Sequence, residues 1–142
     1  MITNRSKPPG IIIPELAYQD VAEAAVWLCK TFGFKERLRI GNHRIQLTFN
    51  DASVVVIELN EGYAMGTLAM QSTHKVLMQV ADADQHYEHV KQSGAKILRE
   101  PETYPFGERQ YSVEDLGGHV WTFTQSVADI DPAEWGGEVI NL

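Results

Sequence analysis

Asp20–Gly33 reads DVAEAAVWLCKTFG, and Asp82–Gly94 reads DADQHYEHVKQSG. In the first stretch Asp20 stands three residues ahead of Glu23, the spacing of a helix N-cap and its reciprocal acid. Val21, Ala24, Ala25, Leu28 and Phe32 then recur on one helical face before Gly33, a residue suited to ending a helix. The second stretch repeats this grammar in more polar form, with Asp82 leading Gln85, Tyr87 and Val90 sharing a face, and Gly94 as the stop. The two caps are 62 residues apart and the two glycines 61, the mark of one unit written twice.

Working outward, each helix is preceded by one strand-like run and followed by three. GIIIPELAY precedes the first; FKERLRI, HRIQLTF and SVVVIEL follow it, broken by the turn dipeptides Gly41-Asn42 and Asn50-Asp51. THKVLMQVA precedes the second; AKILRE, RQYSVED and HVWTFTQ follow, with Gly117-Gly118 turning the last pair. Both units therefore read β-α-β-β-β, and the fold expected is α+β, one domain over residues 1–142. Its parts are a first module at 11–60, a linker at 61–72, a second module at 73–125 and a tail at 126–142. A unit of about 60 residues is marginal as a free-standing core, so the two are expected to pack and share a cleft. Asn60–Ser72, with two glycines and two methionines, reads as a linker, or as a mobile cover over a ligand. Trp135 in the tail is expected to dock on the body or on a second subunit.

The composition narrows the functions. A net charge of −7 and a pI near 5.1 argue against nucleic acid as a partner. They would suit a cationic ligand, or serve only solubility. No apolar run approaches the roughly 18 residues of a membrane span, and the first residues lack the apolar core of a secretory leader, so a cytoplasmic location is expected. Cys29 is the single cysteine, which excludes an internal disulfide and a cysteine-rich metal cage; within its helical pattern it reads as a small packed residue.

The paired modules, the helix endings KTFGF and QSGA, and the terminal YSVEDLGGHVWTF together resemble the vicinal oxygen chelate superfamily, most closely its glyoxalase/bleomycin-resistance branch. The resemblance spans roughly residues 11–125 and implies mixed sheets curled around a cavity. It also implies, in metal-dependent members, one ligand from the first and last strand of each module. Matched by position, those ligands fall at Ile13, Glu58, Lys75 and Thr122. Only Glu58 among these is a ready metal ligand, and a catalytic divalent site needs about three. The resemblance therefore implies a metal-independent protein. His74 joins Glu58 only if its strand slips by one residue, which would turn Val76, Met78 and Val80 toward the cavity. In the unslipped register the Lys75 ammonium stands where a metal would, paired with Glu58 and the Thr122 hydroxyl, or else both charges lie in water at the rim.

Other chemistry weighs less. His86 and His89, three apart on the second helix, read as a solvated face, and His119 as a hydrogen-bonded structural histidine. Arg109 and Tyr111 share one side of a strand; they either clamp a ligand in the cavity or turn to the helix, with the arginine on a carboxylate. The leading function is sequestration of a small organic ligand, cationic if the acidity is used, by a homodimer without a cofactor. The alternatives are a metal-dependent lyase, isomerase or dioxygenase of the same superfamily, and a structural or regulatory dimer with a vestigial cleft.

Overall fold

The computed structural model describes residues 2–59 and 73–141. The linker expected at 61–72 and the cover expected over Asn60–Ser72 lie outside the described residues. The chain divides into two compact units, residues 1–72 and 73–142.

The first unit runs β1 (Glu15–Tyr18), α1 (Val21–Phe32), β2 (Lys35–Ile40), β3 (Arg44–Phe49) and β4 (Ala52–Glu58), in sheet order β1-β4-β3-β2. β1 lies parallel to β4 and the other pairs are antiparallel. The caps form as read: the Asp20 side chain accepts the Glu23 amide at 2.9 Å, and Gly33, at φ 95°, sends its N–H to the Cys29 carbonyl. Asn50 makes the β3–β4 turn with a left-handed φ of 52°. β1 is shorter than the run from Gly10 because Pro14 has no amide to donate; its carbonyl takes the Val55 N–H at 2.9 Å and pairing starts just after it. Ala24, Ala25, Leu28 and Phe32 of α1 are buried, as are Leu16, Ile45, Leu47, Val54 and Val56 of the sheet. Each large side chain removed from water in this way contributes about 1.5–3 kcal/mol. Cys29 is only half-buried, and burial raises its thiol pKa.

The second unit repeats the plan with β5 (Val76–Gln79), α2 (Ala83–Gln92), β6 (Lys96–Thr103), β7 (Glu108–Glu114) and β8 (Val120–Ser126), in sheet order β5-β8-β7-β6. Again the first strand is parallel to the last. Asp82 caps α2 by accepting the Gln85 amide at 3.0 Å, and Gly94 follows the helix at φ 83°. The core is aromatic: Tyr111, Trp121 and Phe123 are fully buried, with Trp121 and Tyr111 both stacked on Phe123 at 6.2 and 5.4 Å between centroids. β6 runs past the expected AKILRE to Thr103, and its pairing with β7 shifts twice, between Ile97 and Arg99 and between Arg99 and Glu102, the second shift accommodating Pro101.

The tail docks on its own unit. The amides of Val127 and Ala128 donate to the Gly107 carbonyl, and Trp135, in a short 3-10 helix at Pro132–Trp135, meets Phe106 in a T-shaped contact with the ring centroids 5.6 Å apart. Gly107 is required here twice over: its φ is +85°, and a Cβ would lie 2.1 Å from the Ala128 carbonyl oxygen. No helix among the described residues is long and apolar enough to cross a membrane.

Candidate functional site

Strand alternation gives each sheet one face against its own helix and one turned away from it. In the second unit Trp121 and Phe123 take the helix side, so Thr122 and Thr124 point the other way. Their cross-strand partners, Ser112 and Gln110 on β7 and Leu77 and Gln79 on β5, share that face. The result is a hydrogen-bonded polar ladder. The hydroxyls of Ser112 and Thr122 lie 2.9 Å apart; Thr124 donates to Glu108 Oε1 at 2.5 Å; Gln110 Nε2 donates at 3.3 Å to both Glu108 and Thr124. Thr122 and Thr124 are buried. This face offers hydroxyl, amide and one carboxylate group beside the exposed Leu77, a surface that can orient a ligand by hydrogen bonds.

The corresponding face of the first unit carries Gln46, Ser53, Val55 and Ile57, all buried. Arg44 of β3 pairs with Glu15 of β1 across the intervening β4. Arg37 Nη1 donates to Gln46 Oε1 at 2.6 Å.

Several expected site residues lie elsewhere. Arg109 and Tyr111 are on the helix side, away from Thr122, because β7 pairs Tyr111 with Phe123 and Arg109 with Gln125, whose amide oxygen accepts the Ala83 N–H at the start of α2. Arg109 forms an ion pair with Asp84 of α2 at 3.0 Å, the second of the two arrangements weighed for it. Tyr111 is fully buried, its hydroxyl 2.5 Å from His86 Nδ1, and burial pushes its pKa far above the usual phenol range. His86 is thus no solvated histidine: it is half-buried, with its ring 4.3 Å from that of Phe123. Glu58 is displaced by one register step. β1 and β4 pair Leu16 with Val56 and Tyr18 with Glu58, so Glu58 follows Val56 to the helix side and is exposed at the strand end, while Ile57 holds the face away from the helix.

Lys75 just precedes β5 and is exposed, so the buried Glu58–Lys75 pair is replaced by two charges in contact with water. Ile13 lies ahead of β1, half-buried. His74 has its ring 6.3 Å from that of His119. Among the described residues no three His, Cys, Asp or Glu side chains come together as a divalent metal would require, and Thr122 already shares its hydroxyl with Ser112. The described residues therefore form no three-ligand set of the kind a catalytic divalent metal needs.

Two features escaped the sequence reading. Ser112, Gln110, Thr124 and Glu108 join Thr122 through cross-strand pairing, which counting outward from Gly117-Gly118 would have found. Asp115 is buried and accepts the amides of Gly117 and His119 through Oδ1 and the Trp121 indole N–H through Oδ2, each at 2.9 Å. An aspartate two residues before a Gly-Gly turn is its only trace in the chain.

A family model described as Glyoxalase/Bleomycin resistance protein/Dioxygenase superfamily matches residues 11–123. Among solved structures, TioX from Micromonospora sp. ML1 is 34% identical over 83% of this chain and 99% of its own, with a TM-score of 0.71. A glyoxalase/bleomycin resistance protein/dioxygenase family enzyme from Burkholderia phytofirmans PsJN is 14% identical over 81% and 97% of the two chains, with a TM-score of 0.68. Lactoylglutathione lyase from Agrobacterium tumefaciens is 13% identical over 84% and 96%, with a TM-score of 0.62. At such identity these last two likenesses concern the fold alone. No curated protein matches the chain.

Proposed function

Because the chain belongs to the Glyoxalase/Bleomycin resistance protein/Dioxygenase superfamily, we propose that it binds a small organic molecule without a metal, as a cytoplasmic homodimer whose task is sequestration. The observation that carries this reading is the Ser112–Thr122 hydroxyl pair with the Glu108–Thr124–Gln110 ladder beside it. Thr122 stands where the resemblance implies a metal-binding glutamate, and it is part of a hydrogen-bonding surface of hydroxyls and an amide whose one charge is the Glu108 carboxylate. Such a surface orients a ligand's polar groups, and its one carboxylate is already engaged by Thr124 and Gln110. Glu108 and the net charge of −7 favour a cationic ligand over an anionic one.

The test is native mass spectrometry against cationic glycopeptide antibiotics and hydrophobic amines, with thermal stabilisation measured in parallel. The expected result is a ligand retained unchanged, with the complex weakened at least tenfold by Thr122→Val. Isomerisation of a hemithioacetal on addition of nickel or zinc would instead make the protein a metal-dependent enzyme. Absence of binding across the panel would leave a structural or regulatory role. Light scattering across a dilution series tests the dimer, and a monomer mass at micromolar concentration would remove it.

A further inference from the structure

Two imidazoles meet at one end of the second sheet. β5 and β8 run parallel and pair Val76 with Trp121 and Met78 with Phe123, all on the helix side. Carried two residues back, this register sets His74 opposite His119, and their ring centroids are 6.3 Å apart. The backbone of His119 is fixed: its amide donates to Asp115 Oδ1 and its carbonyl accepts the Asp115 amide, each at 2.9 Å. His74 is exposed, just ahead of β5, and its ring has room to adjust. β5 is only four residues long and stands at the edge of its sheet, next to β8.

We propose that His74 and His119 hold a divalent metal ion of the zinc and copper class, which clips the start of the edge strand β5 to β8. With metal–nitrogen bonds of about 2.0–2.1 Å, one ion shared by two rings sets their centroids about 4.5 Å apart at a right angle and about 6.5 Å apart in a trans arrangement. The observed spacing lies within that range, so rotation of the side chains closes the site with the backbone in place. Imidazole nitrogen suits zinc, copper and nickel, whereas magnesium and calcium take oxygen. Two protein ligands leave the remaining positions to water. The site is therefore weaker than a three-ligand catalytic centre, and it agrees with the absence of a three-ligand set among the described residues. It is also distinct from the metal position that the resemblance implies. That position falls at Thr122, which faces away from the helix, whereas His119 follows Trp121 to the helix side. A net charge of −7 favours the cation. The two histidines come together only when β5 pairs with β8, so an ion bound there stabilises the folded chain over the unfolded one. The clip contributes nothing to the Ser112–Thr122 face, and the two readings stand or fall separately.

The experiment uses the full-length chain, freed of metal with a chelator. Zn2+ is added for thermal unfolding, and Cu2+ for calorimetric titration and electron paramagnetic resonance. Zn2+ is expected to raise the unfolding midpoint by several degrees, and Cu2+ to show two nitrogen donors in its spectrum. His74→Ala removes an exposed side chain and is the primary variant. It is expected to abolish the Zn2+ shift and to weaken Cu2+ binding by about tenfold or more, since losing a ligand costs no less than losing a group that orients one. His119→Gln is expected to do the same, because the bonds of His119 to Asp115 are made by its backbone. His43→Ala, at an exposed histidine in the β2–β3 turn, is expected to change neither reading. Equal Cu2+ affinity in the parent and His74→Ala, or a Zn2+ shift that survives His74→Ala, places the ion elsewhere and overturns the proposal. A parent whose midpoint does not move with Zn2+ also overturns it. Zn2+ stabilisation together with failure of the amine and glycopeptide panel would uphold the clip while removing the sequestration reading.

Discussion

Removing the Asp115 carboxylate tests whether the charged stretch around Gly117-Gly118 is hairpin construction. Three donors converge on this one buried side chain: the amides of Gly117 and His119, and the Trp121 indole. In Asp115→Ala the Gly117 amide, on an exposed residue, regains water, and His119, half-buried, does so in part. Trp121 is fully buried, so its N–H loses this acceptor where water cannot replace it. An unsatisfied buried donor costs about 1–3 kcal/mol and each turn hydrogen bond about 1 kcal/mol, so the expected loss is about 3–5 kcal/mol. With a urea m-value of about 2 kcal/mol/M, the unfolding midpoint falls by about 2 M. Asp115→Asn keeps an oxygen for the two amides but turns an NH2 group toward the indole, confining the loss to that contact, about 1–3 kcal/mol. In a Trp121→Phe background the indole donor is gone, and the Asp115→Asn cost is expected to shrink to under about 0.5 kcal/mol. Urea titrations followed by circular dichroism read all four variants. An Asp115→Ala protein within 1 kcal/mol of the parent, or an Asp115→Asn cost unchanged in the Trp121→Phe background, would refute the reasoning.

Further outcomes follow from the same geometry. Lys75→Met is expected to change stability by under about 0.5 kcal/mol, since Lys75 is exposed and a charge in water has little to lose; a loss of 3 kcal/mol in chemical denaturation would restore the buried pair. Arg109→Ala should cost at most about 1 kcal/mol because its Asp84 partner is well exposed, whereas Tyr111→Phe should cost about 1–2 kcal/mol by removing a buried hydroxyl from His86. The folded-state pKa of Tyr111 is raised, so its contribution is fully present below the unfolded value of about 10 and declines above it, where the unfolded chain loses a proton that the folded chain keeps. Unfolding free energies measured between pH 9 and 11.5 should therefore fall by up to about 1.4 kcal/mol per pH unit above about 10, and Tyr111→Phe should flatten that limb. Gly107→Ala is expected to be among the most damaging single substitutions, because backbone rather than a movable side chain occupies the space; a variant melting within a few degrees of the parent would show that the tail shifts freely.

Much of this protein was legible in its chain because the relevant physics is local. Asp20 and Asp82 announce their helices through a hydrogen bond three residues away, Gly33 and Gly94 end them through a backbone conformation other residues disfavour, and the 62-residue offset makes the duplication visible without any contact being known. The alternation in VWTFT also separates Trp121 and Phe123 from Thr122 correctly, since a strand has a period of two and the apolar members must be the buried ones. What the chain could not decide was register across strands. Whether Glu58 or Ile57 faces away from the helix depends on which residue of β4 meets Leu16, and a single step reverses the answer. The same is true of Arg109 and Tyr111, whose side is set by pairing with Gln125 and Phe123. Asp115 and the Arg37–Gln46–Ser6 contact lie further still from sequence logic, because a buried carboxylate serving three donors, or an arm reaching a strand 40 residues away, exists only once tertiary packing has excluded water and left each polar group to find its partner.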